Sequence, residues 1–298
     1  MNLERIKVFY FVAKSRNFTK ASSVLNISQP SLTVAVKLLE NELQTKLFIR
    51  SPRGVTLTPE GERLFEFAKK FLEEAEITIK LIKDNADEPQ GELKIVTTPY
   101  LASAWIPRHF SSFFNKYPKI HPCIIGTFED ITVNRADIAI RTFMPHHPHL
   151  IQKHFLSLHH RLWASKEYLH KYGVPQCAED LDDHQLIAFD DKSYDMYGSA
   201  HWILNVGAHK KPRKPYIICN SVEGLINLAE RSFGIIETSE EYVNLKAHNL
   251  VKVLPNIVAP TVEIYYIYST LMEKSKNIRA FKKFMDENFS DLIKQSNA

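Results

Sequence analysis

A run of polar residues near the N-terminus carries side chains that can read the edges of DNA bases. Within the sequence SQPSLTVAVK, Gln29 can both donate to and accept from an adenine edge, and Ser31 and Thr33 can contact bases or phosphates. Val34 can pack on a thymine methyl group, and Lys37 is spaced to meet a phosphate. These residue types in this order indicate a segment that binds DNA.

A second candidate for DNA contact is a short basic turn downstream of this segment. Two β-rich runs, LFIR and GVTLT, flank a turn formed by Ser51, Pro52 and Arg53. A hairpin that carries Arg50 and Arg53 can lie along the phosphate backbone or place an arginine in the minor groove. The sequence therefore predicts a DNA-binding wing.

Histidines are concentrated in the stretch MPHHPHLIQKHFLSLHHRLW. These are His146, His147, His149, His154, His159 and His160. Because histidine is the commonest protein ligand for transition metals, a metal-sensing site is one interpretation. However, the prolines around His146, His147 and His149 predict a loop there. His159 and His160 enter an apparent strand, where neighbouring side chains point to opposite faces. No cysteine is near them to complete a metal site. We therefore favour a surface loop and expect no metal.

Motifs typical of enzymes, cofactor sites and membrane spans are missing from the sequence. It has no GxSxG elbow, no GxxxxGK[ST] phosphate loop and no GxGxxG fingerprint, so we expect neither catalysis nor a cofactor. The adjacent Asp190 and Asp191 are typical of a solvated loop rather than an acid–base pair.

The spacing of Cys123, Cys177 and Cys219 is typical of reduced thiols in a cytoplasmic protein. No apolar run approaches the roughly 18 residues of a membrane span.

The candidate DNA-reading residues need a scaffold, and the spacing of apolar residues predicts three helices. The first runs from Leu3 to about Ser15 and turns these residues inward: Leu3, Ile6, Phe9, Tyr10 and Ala13. Thr19 is expected to N-cap a short second helix that Asn26 ends, with these residues in the core: Ala21, Val24 and Leu25. Ser28 is expected to N-cap the third helix, with Pro30 in its first turn and this buried stripe: Leu32, Val36, Leu39 and Leu43. Such a helix pair predicts a helix-turn-helix, whose second helix enters the major groove.

The distribution of charge agrees with DNA binding at one end of the chain. At 298 residues the chain is long enough for two folded units and a connector. Nine basic and three acidic side chains give residues 1–58 a net charge of +6, which leaves −2 for the remainder of a chain whose total is +4. This asymmetry predicts that only the basic segment meets a polyanion.

A long helix is predicted after the wing, from Pro59 to about Asp84. Its apolar residues alternate in steps of three and four, the pattern of a coiled-coil seam: Phe65, Ala68, Leu72, Ala75, Ile79 and Ile82. The alternative is that this stripe packs on its own domain. A helix directly after a wing can pair two DNA readers and set them about one turn of DNA apart, or a multiple of it. The stretch DNADEPQGE then predicts a hinge.

Beyond the predicted hinge, short apolar runs alternate with helical segments, as in ELKIVTT, WIPRHFSSFFNKY, PCIIGTF and ADIAIRTF. This alternation predicts an α/β fold with largely parallel sheets, because parallel strands need crossover helices between them.

The run FTKASSVLNISQPSLTVAVKLLENELQTKLFIRSPRGVTLTPEGERL resembles the signature of LysR-type transcription regulators almost position for position. The shared features are the SQP entry to the recognition helix, the LE and EL pairs, the LF-R wing and the LTPEG start of the next helix. Further landmarks of the family follow: GELKI, FFNKYP, ADIAIR, RLWASKEYL, ICNSVEGLINLAERSFGIIETSEEYV and NIRAFKKFMDENF. The chain departs from the family at Val34, where relatives often carry a basic residue.

The resemblance implies an α/β fold class with an N-terminal all-α winged helix-turn-helix and a two-lobed sensor domain that resembles periplasmic binding proteins. The implied domains are a DNA-binding domain at 1–58, a dimerising linker helix at 59–85, a hinge at 86–91 and an effector-binding domain at 92–298. Within the last, lobe one would comprise 92–160 and 267–298, and lobe two 161–266. The segment IGTFEDITVNR is several residues shorter than the family's, so lobe one is expected to lack one helix or to keep a single turn of it.

Ligands of such two-lobed folds bind beyond the carboxyl ends of the strands, where loops and helix N-termini offer free N–H groups. The candidate effector-binding residues therefore follow the expected strands: Thr98, Pro99, Tyr100, Thr127, Phe128, Arg141, Thr142, Asn220 and Ser221. Arg141 is the charged member of this set and suits a carboxylate in bidentate fashion.

These features together indicate a sequence-specific, DNA-binding transcription regulator that responds to a small-molecule effector. The expected DNA contacts are Thr19, Ser28, Gln29, Pro30, Ser31, Thr33, Val34, Lys37, Arg50 and Arg53. The expected partners are double-stranded DNA, further copies of the chain as a dimer or tetramer, and RNA polymerase, with no membrane. The alternative is a DNA-binding regulator whose sensor is vestigial and serves only for oligomerisation, which the shortened segment of lobe one permits.

Overall fold

A computed structural model of the chain describes residues 2–51, 54–83, 88–128, 136–190, 202–209, 211–243 and 245–295. The chain divides into two compact units, Met1–Asn85 and Ala86–Ala298. The division agrees with a boundary near the predicted hinge.

The first unit is a helical domain with a two-stranded hairpin. Its elements are α1 Leu3–Ser15, α2 Phe18–Leu25, α3 Gln29–Leu43, β1 Phe48–Ser51, β2 Gly54–Leu57 and α4 Pro59–Lys83. The strands are antiparallel, with Phe48 opposite Leu57 and Ser51 opposite Gly54. The predicted helix-turn-helix and hairpin are therefore both present.

The helix caps confirm two predictions and correct a third. Ser28 caps α3 through a bond from the Ser31 amide, and Asn26 ends α2 with a left-handed φ of 54°. The prediction that Thr19 caps α2 is wrong, because the helix begins two residues earlier, at Phe18, and Asn17 Oδ1 accepts from the Lys20 amide at 3.0 Å. Thr19 thus lies in the first turn.

The core of this unit is aromatic at its centre. Phe48, the first residue of β1, has its ring 5.2 Å from that of Phe9 and 6.0 Å from that of Phe18. Phe18 of α2 belongs to this core, whereas Val24, predicted to face inward, is 63% exposed. The other predicted core residues that prove to be exposed lie at the outer ends of α1 and α3, where less of the domain covers them: Leu3 and Leu43.

The second unit is built on one continuous sheet flanked by helices. Its strands are β3 Gly91–Thr97, β4 Ile120–Gly126, β5 Ile138–Arg141, β6 Leu150–Ser165, β7 Leu186–Phe189, β8 Ile217–Cys219, β9 Ile235–Ser239, β10 Leu250–Val253 and β11 Thr261–Ser269. Its helices are α5 Ile106–His109, α6 Ser111–Lys116, α7 Lys166–Tyr172, α8 Trp202–Asn205, α9 Val222–Glu230 and α10 Lys276–Gln295.

The sheet order is β4-β3-β5-β11-β6-β9-β7-β8, with β10 paired to β6. Strands β4, β3 and β5 are parallel to one another, and so are β8, β7 and β9. The long strand β6 joins the two parallel groups, because it pairs antiparallel with β11 and with β9. Strand β10 is also antiparallel to β6 and lies on the side opposite β9, since Leu162 and Trp163 pair with both strands. The predicted lobe boundaries at 160–161 and 266–267 fall inside continuous strands, and they stay a prediction.

The helix predicted over WIPRHFSSFFNKY is interrupted. A π-helical turn at Leu101–Trp105 leads into α5, and α5 and α6 are separated at Phe110. Pro107 explains part of this irregularity, because its nitrogen has no hydrogen to donate to the preceding turn. The shortened segment predicted in lobe one lies largely at 129–135, outside the described residues.

Candidate nucleic-acid interface and ligand cleft

Ser28 organises an exposed polar surface at the start of α3. Its Oγ accepts from the Ser31 amide at 3.3 Å and lies 2.8 Å from Ser31 Oγ. Thr33 Oγ1 donates to the Gln29 carbonyl at 3.1 Å. The hydroxyls of Ser31 and Thr33, predicted to contact DNA, are therefore engaged within the helix in this state.

Thr19 and Gln29 meet across the turn between α2 and α3. Thr19 Oγ1 donates to Gln29 Oε1 at 3.4 Å. This contact orients the amide so that its nitrogen, a hydrogen-bond donor, lies on the far side from Thr19. Pro30, Lys37 and Val34 are exposed nearby on α3, Val34 to 56%. The structure thus leaves an amide, an apolar group and a basic side chain exposed on α3.

The wing packs against the end of α1. The Val55 amide donates to the Arg16 carbonyl at 3.2 Å, and a Cβ added to Gly54 would lie only 2.8 Å from that same carbonyl oxygen. Gly54 also has a φ of 130°, so glycine is required there on two grounds. The backbone of Arg50 lies opposite Val55 in β1, whereas Arg53 lies outside the described residues.

The apolar stripe of α4 divides into two parts. Near its start, Phe65 stacks on Tyr10 at 5.3 Å and Ala68 is fully buried, so this part packs on its own domain. Towards its end, Ile79 is 52% and Ile82 65% exposed. Packing on its own domain therefore fits the first part of α4, and the exposed apolar residues of a coiled-coil seam fit its last part.

In the second unit, the loops after β3 and β4 lie side by side. The Thr127 amide donates to the Thr97 carbonyl at 2.9 Å. A Cβ on Gly126 would come within 2.8 Å of Pro99 Cα, so the close approach of these loops depends on glycine. Buried Thr98 caps the helical turn that follows β3. Three predicted effector-binding residues are thus brought together at one end of the sheet.

Tyr100 links this loop to the segment after β9. Its hydroxyl donates to the Glu241 carbonyl at 3.3 Å and accepts from the Val243 amide at 3.0 Å. Its ring stacks on that of Tyr242 with centroids 4.8 Å apart. Arg108 Nη1 adds a contact of 3.5 Å to the Val243 carbonyl. Tyr100 therefore joins the two predicted lobes through three contacts, and Arg108 adds a fourth.

A second aromatic contact bridges the same loops. Phe128, after β4, meets Phe189, the last residue of β7, edge to face at 5.5 Å. Next to Phe189, the Asp190 amide donates to the Cys219 carbonyl at 3.2 Å, which ties the ends of β7 and β8 together. Strand ends of both predicted lobes thus meet at this point.

The remaining predicted effector-binding residues occupy further strand ends. Ser221 Oγ accepts from the Gly224 amide at 3.2 Å and so caps α9, and Asn220 beside it is exposed. Arg141 ends β5 opposite Tyr265 of β11, and Arg141 and Thr142 are half-buried.

Phe189 and Tyr242 contact the predicted effector-binding residues Phe128 and Tyr100, and the sequence prediction missed them. Each lies at or just after the end of a parallel strand of the second lobe. Thr98 and Phe128 were selected because they follow the ends of predicted strands. The same rule applied to the ends of β7 and β9 would have selected Phe189 and Tyr242 as well.

The two stacked tyrosines are neutral donors at ordinary pH. Burial raises the pKa of the Tyr100 hydroxyl above its usual value. Burial also raises the pKa of Tyr242, and its hydrogen bond to the Glu223 carboxylate raises it further. Because Tyr242 donates to Glu223 in the first turn of α9, the cleft edge is tied to the same helix that Ser221 caps.

The histidines of the central strand pair with carboxylates. His159 Nδ1 lies 2.6 Å from Glu241 Oε1, and His160 Nδ1 lies 2.8 Å from Glu237 Oε1. These neighbouring histidines thus meet different partners, as expected on a strand. Within the described residues, no group of three or more potential metal-binding side chains comes together. In that same part of the chain, no helix has both the length and the apolarity to cross a membrane.

Comparison with protein families gives matches over both units. Residues 3–62 match the family model described as bacterial regulatory helix-turn-helix protein, lysR family, and residues 86–290 match that of the LysR substrate binding domain. The transcriptional activator TtdR of Escherichia coli strain K12 is 28% identical over 287 residues, 94% of this chain and 91% of that protein. The regulator CrgA of Neisseria meningitidis strain 8013 is 28% identical over 247 residues, 82% of this chain and 81% of that protein.

Solved structures agree with these matches. CrgA of Neisseria meningitidis superposes with a TM-score of 0.59 at 25% identity, covering 97% of this chain and 99% of that one. The Vibrio cholerae virulence activator AphB shares the fold with a TM-score of 0.63 at 22% identity, covering 97% of this chain and all of that one. The chain therefore belongs to the LysR family of bacterial transcription regulators, with a helix-turn-helix domain followed by an effector-binding domain.

Proposed function

We propose that this regulator reads its operator with the start of α3 and strengthens binding with the wing. The observation that carries the proposal is the exposed surface that Ser28 caps, where Thr19 orients the Gln29 amide beside Val34 and Lys37. Gln29 and Val34 contact base edges in the major groove, and Lys37 contacts a phosphate. Further contacts come from Thr19, Ser28, Pro30, Ser31 and Thr33, and from Arg50 and Arg53 of the wing.

Two variants test this assignment. Replacing Gln29 by Ala should alter base preference at one position of each half-site, because it removes the amide. Replacing Arg53 by Ala should weaken binding to all sequences and flatten its dependence on salt by about one unit of slope, because one phosphate contact is lost. If neither variant changed operator binding, the placement of helix and wing on DNA would be wrong.

For assembly, we propose that the exposed end of α4 pairs with the same helix of a second copy. The support is the exposure of Ile79 and Ile82 on a face that continues the buried stripe of Phe65 and Ala68. Pairing there makes a dimer, and two dimers make the tetramer that the family resemblance implies. With its DNA target in the bacterial cytoplasm, the regulator works there and meets RNA polymerase at the promoter.

The domain limits proposed are those expected from the sequence, with DNA binding at 1–58, the linker helix at 59–85, the hinge at 86–91 and the two lobes within 92–298.

We propose that the cleft between the lobes binds a small-molecule effector and carries out no catalysis. Its supporting residues are Thr98, Pro99, Tyr100, Thr127, Phe128, Arg141, Thr142, Asn220 and Ser221. The half-buried Arg141 at the end of β5 suits an effector that carries a carboxylate.

A second candidate is a sensor that has lost its ligand and serves only for assembly. It is favoured by the contacts of Tyr100 with Glu241 and Val243 and of Phe128 with Phe189, which already bridge the lobes. A thermal-shift screen of the full chain against small metabolites separates the two candidates. An effector raises the melting temperature because it binds the folded state, whereas a ligand-free sensor shows no shift across a broad library.

A further inference from the structure

Glu40, the acidic member of the LE pair in the recognition helix, lies on the inner side of α3. It is only 9% exposed, and within the described part of the first unit it is the only charged residue that is buried. A carboxylate in such a place lowers stability unless hydrogen bonds and a counter-charge compensate. The proposed DNA contacts do not use it.

The carboxylate of Glu40 binds the start of the wing. Its Oε1 accepts from the Leu47 amide at 2.9 Å and from the Phe48 amide at 3.4 Å. Its Oε2 pairs with Lys46 Nζ at 3.0 Å. Because Phe48 is the first residue of β1, one side chain connects the recognition helix directly to the hairpin.

The end of α3 delivers these amides to the carboxylate. Gln44 takes a left-handed φ of 52° and reverses the chain, and the Thr45 amide donates to the Glu40 carbonyl at 3.1 Å. The next residues, Lys46 to Phe48, therefore pass over the Glu40 side chain. Both the backbone and the side chain of Glu40 thus hold the connection between helix and wing.

The base of the wing is also held from α4. Thr58 Oγ1 donates to the Lys46 carbonyl at 2.7 Å, and the Thr58 amide donates to the Leu47 carbonyl at 3.0 Å. The carbonyls of Lys46 and Leu47 therefore accept from Thr58, just before α4, whereas the amides of Leu47 and Phe48 donate to Glu40. Loss of the carboxylate would leave the wing attached to α4 but loosened from the recognition helix.

We propose that Glu40 is a positioning residue for DNA recognition, which fixes the wing relative to α3 so that both elements engage the operator together. The inference rests on the roles proposed above for α3 and the wing. Its physical basis is preorganisation: a wing already held in the binding geometry loses less conformational entropy on DNA than a loosened one.

The test compares Glu40→Gln with Glu42→Gln in the full chain. Glu42 is the matched control because it lies on the same helix and forms an ion pair with Arg5 of α1 at 3.2 Å. The DNA probe is a duplex selected from random sequence by the wild-type protein. Binding, hydroxyl-radical footprints and thermal melting are measured for each protein at a temperature where all are folded.

We expect Glu40→Gln to weaken binding about tenfold, because a neutral amide oxygen holds the Leu47 and Phe48 amides less strongly than a carboxylate, and the new NH2 group faces Lys46 Nζ, another donor. Its footprint should lose protection at the backbone positions under the wing and keep protection in the major groove under α3. Glu42→Gln should bind within about twofold of wild type. Should Glu40→Gln fail to fold, Glu40→Asp retains the charge but withdraws it from the amides, and it should lose the same wing protection.

Two results would overturn the inference. One is a folded Glu40 variant with wild-type affinity and an intact wing footprint. The other is a footprint that weakens evenly with falling thermal stability, which would give Glu40 a purely structural role. Neither result affects the proposed reading by α3, because that proposal depends on altered base preference in Gln29→Ala.

Discussion

In the proposed reading of DNA, single side chains at the start of α3 select the bases. Sequence reasoning predicted Ser28, Gln29 and Val34 as DNA contacts because their types and their positions at and after a helix cap are local signals. It misassigned Thr19, because Asn17 and Thr19 are both good caps and the choice depends on where the helix packs. The structure gives Thr19 a different task, to orient the Gln29 amide.

Replacing Thr19 by Val tests this task. The change keeps the shape of the side chain but removes the hydroxyl that donates to Gln29 Oε1. We expect the amide to reorient and base preference to change at the position read by Gln29, and at no other. Selection of bound sequences from a random pool measures this. Preference identical to wild type would show that the Thr19 contact does not matter for reading.

The charge of Glu40 also gives the first unit a pH dependence. Burial opposes its ionisation, but the bonds from Leu47, Lys46 and Phe48 outweigh burial and hold the pKa of Glu40 below its ordinary 4.5. Since the folded pKa is the lower one, this stabilisation is present above about pH 4.5 and is lost as the pH falls through the folded value. Melting curves of wild type and Glu40→Gln should therefore converge on acidification below pH 4.5. A difference in melting temperature that stays constant as the pH falls would contradict the stabilising role of the Glu40 charge.

At the scale of whole elements, α4 has two roles along its length. Its first turns complete the core of the DNA-binding unit, and its later turns expose apolar side chains. The sequence pattern predicted the continuous stripe but left both uses open, because a period of three and four is the same for a helix that packs within a domain and one that packs on a partner.

Replacing Ile82 by Asp tests the pairing of α4. A carboxylate in an apolar seam is costly, so the variant should shift from dimer towards monomer in sedimentation and bind paired half-sites more weakly. The control is Glu76→Gln, which changes an exposed polar residue of the same helix. Unchanged assembly in Ile82→Asp would place the contact between copies elsewhere.

For the molecule as a whole, the sequence predicted the order of elements better than their long-range contacts. The family resemblance supplied the segment ICNSVEGLINLAERSFGIIETSEEYV of the second lobe, and both units and the wing follow from local sequence patterns. The bonds from Tyr100 to Glu241 and Val243 do not, because they join residues 141 and 143 positions apart. The bridging pairs of the cleft therefore became visible only in the folded chain.

Replacing Tyr100 by Phe tests the link between the lobes. The variant keeps the stacking on Tyr242 but removes the hydroxyl that binds Glu241 and Val243. We expect a loss of stability of about 1 kcal/mol and faster hydrogen exchange at the Val243 amide. Tyr172→Phe, at a more exposed ring, is the control. Unchanged exchange at Val243 would mean that the link does not persist in solution.

The most direct test of the central claim is selection of DNA from a random pool by the full-length wild type and by Gln29→Ala. Wild type should enrich a palindromic motif whose half-sites are one helical turn or a multiple of it apart, because paired α3 helices enter successive major grooves. Gln29→Ala should enrich the same spacing with a changed base at one symmetric position in each half-site. Failure of the wild type to enrich any motif, or an identical motif from both proteins, would contradict the reading of DNA by the start of α3.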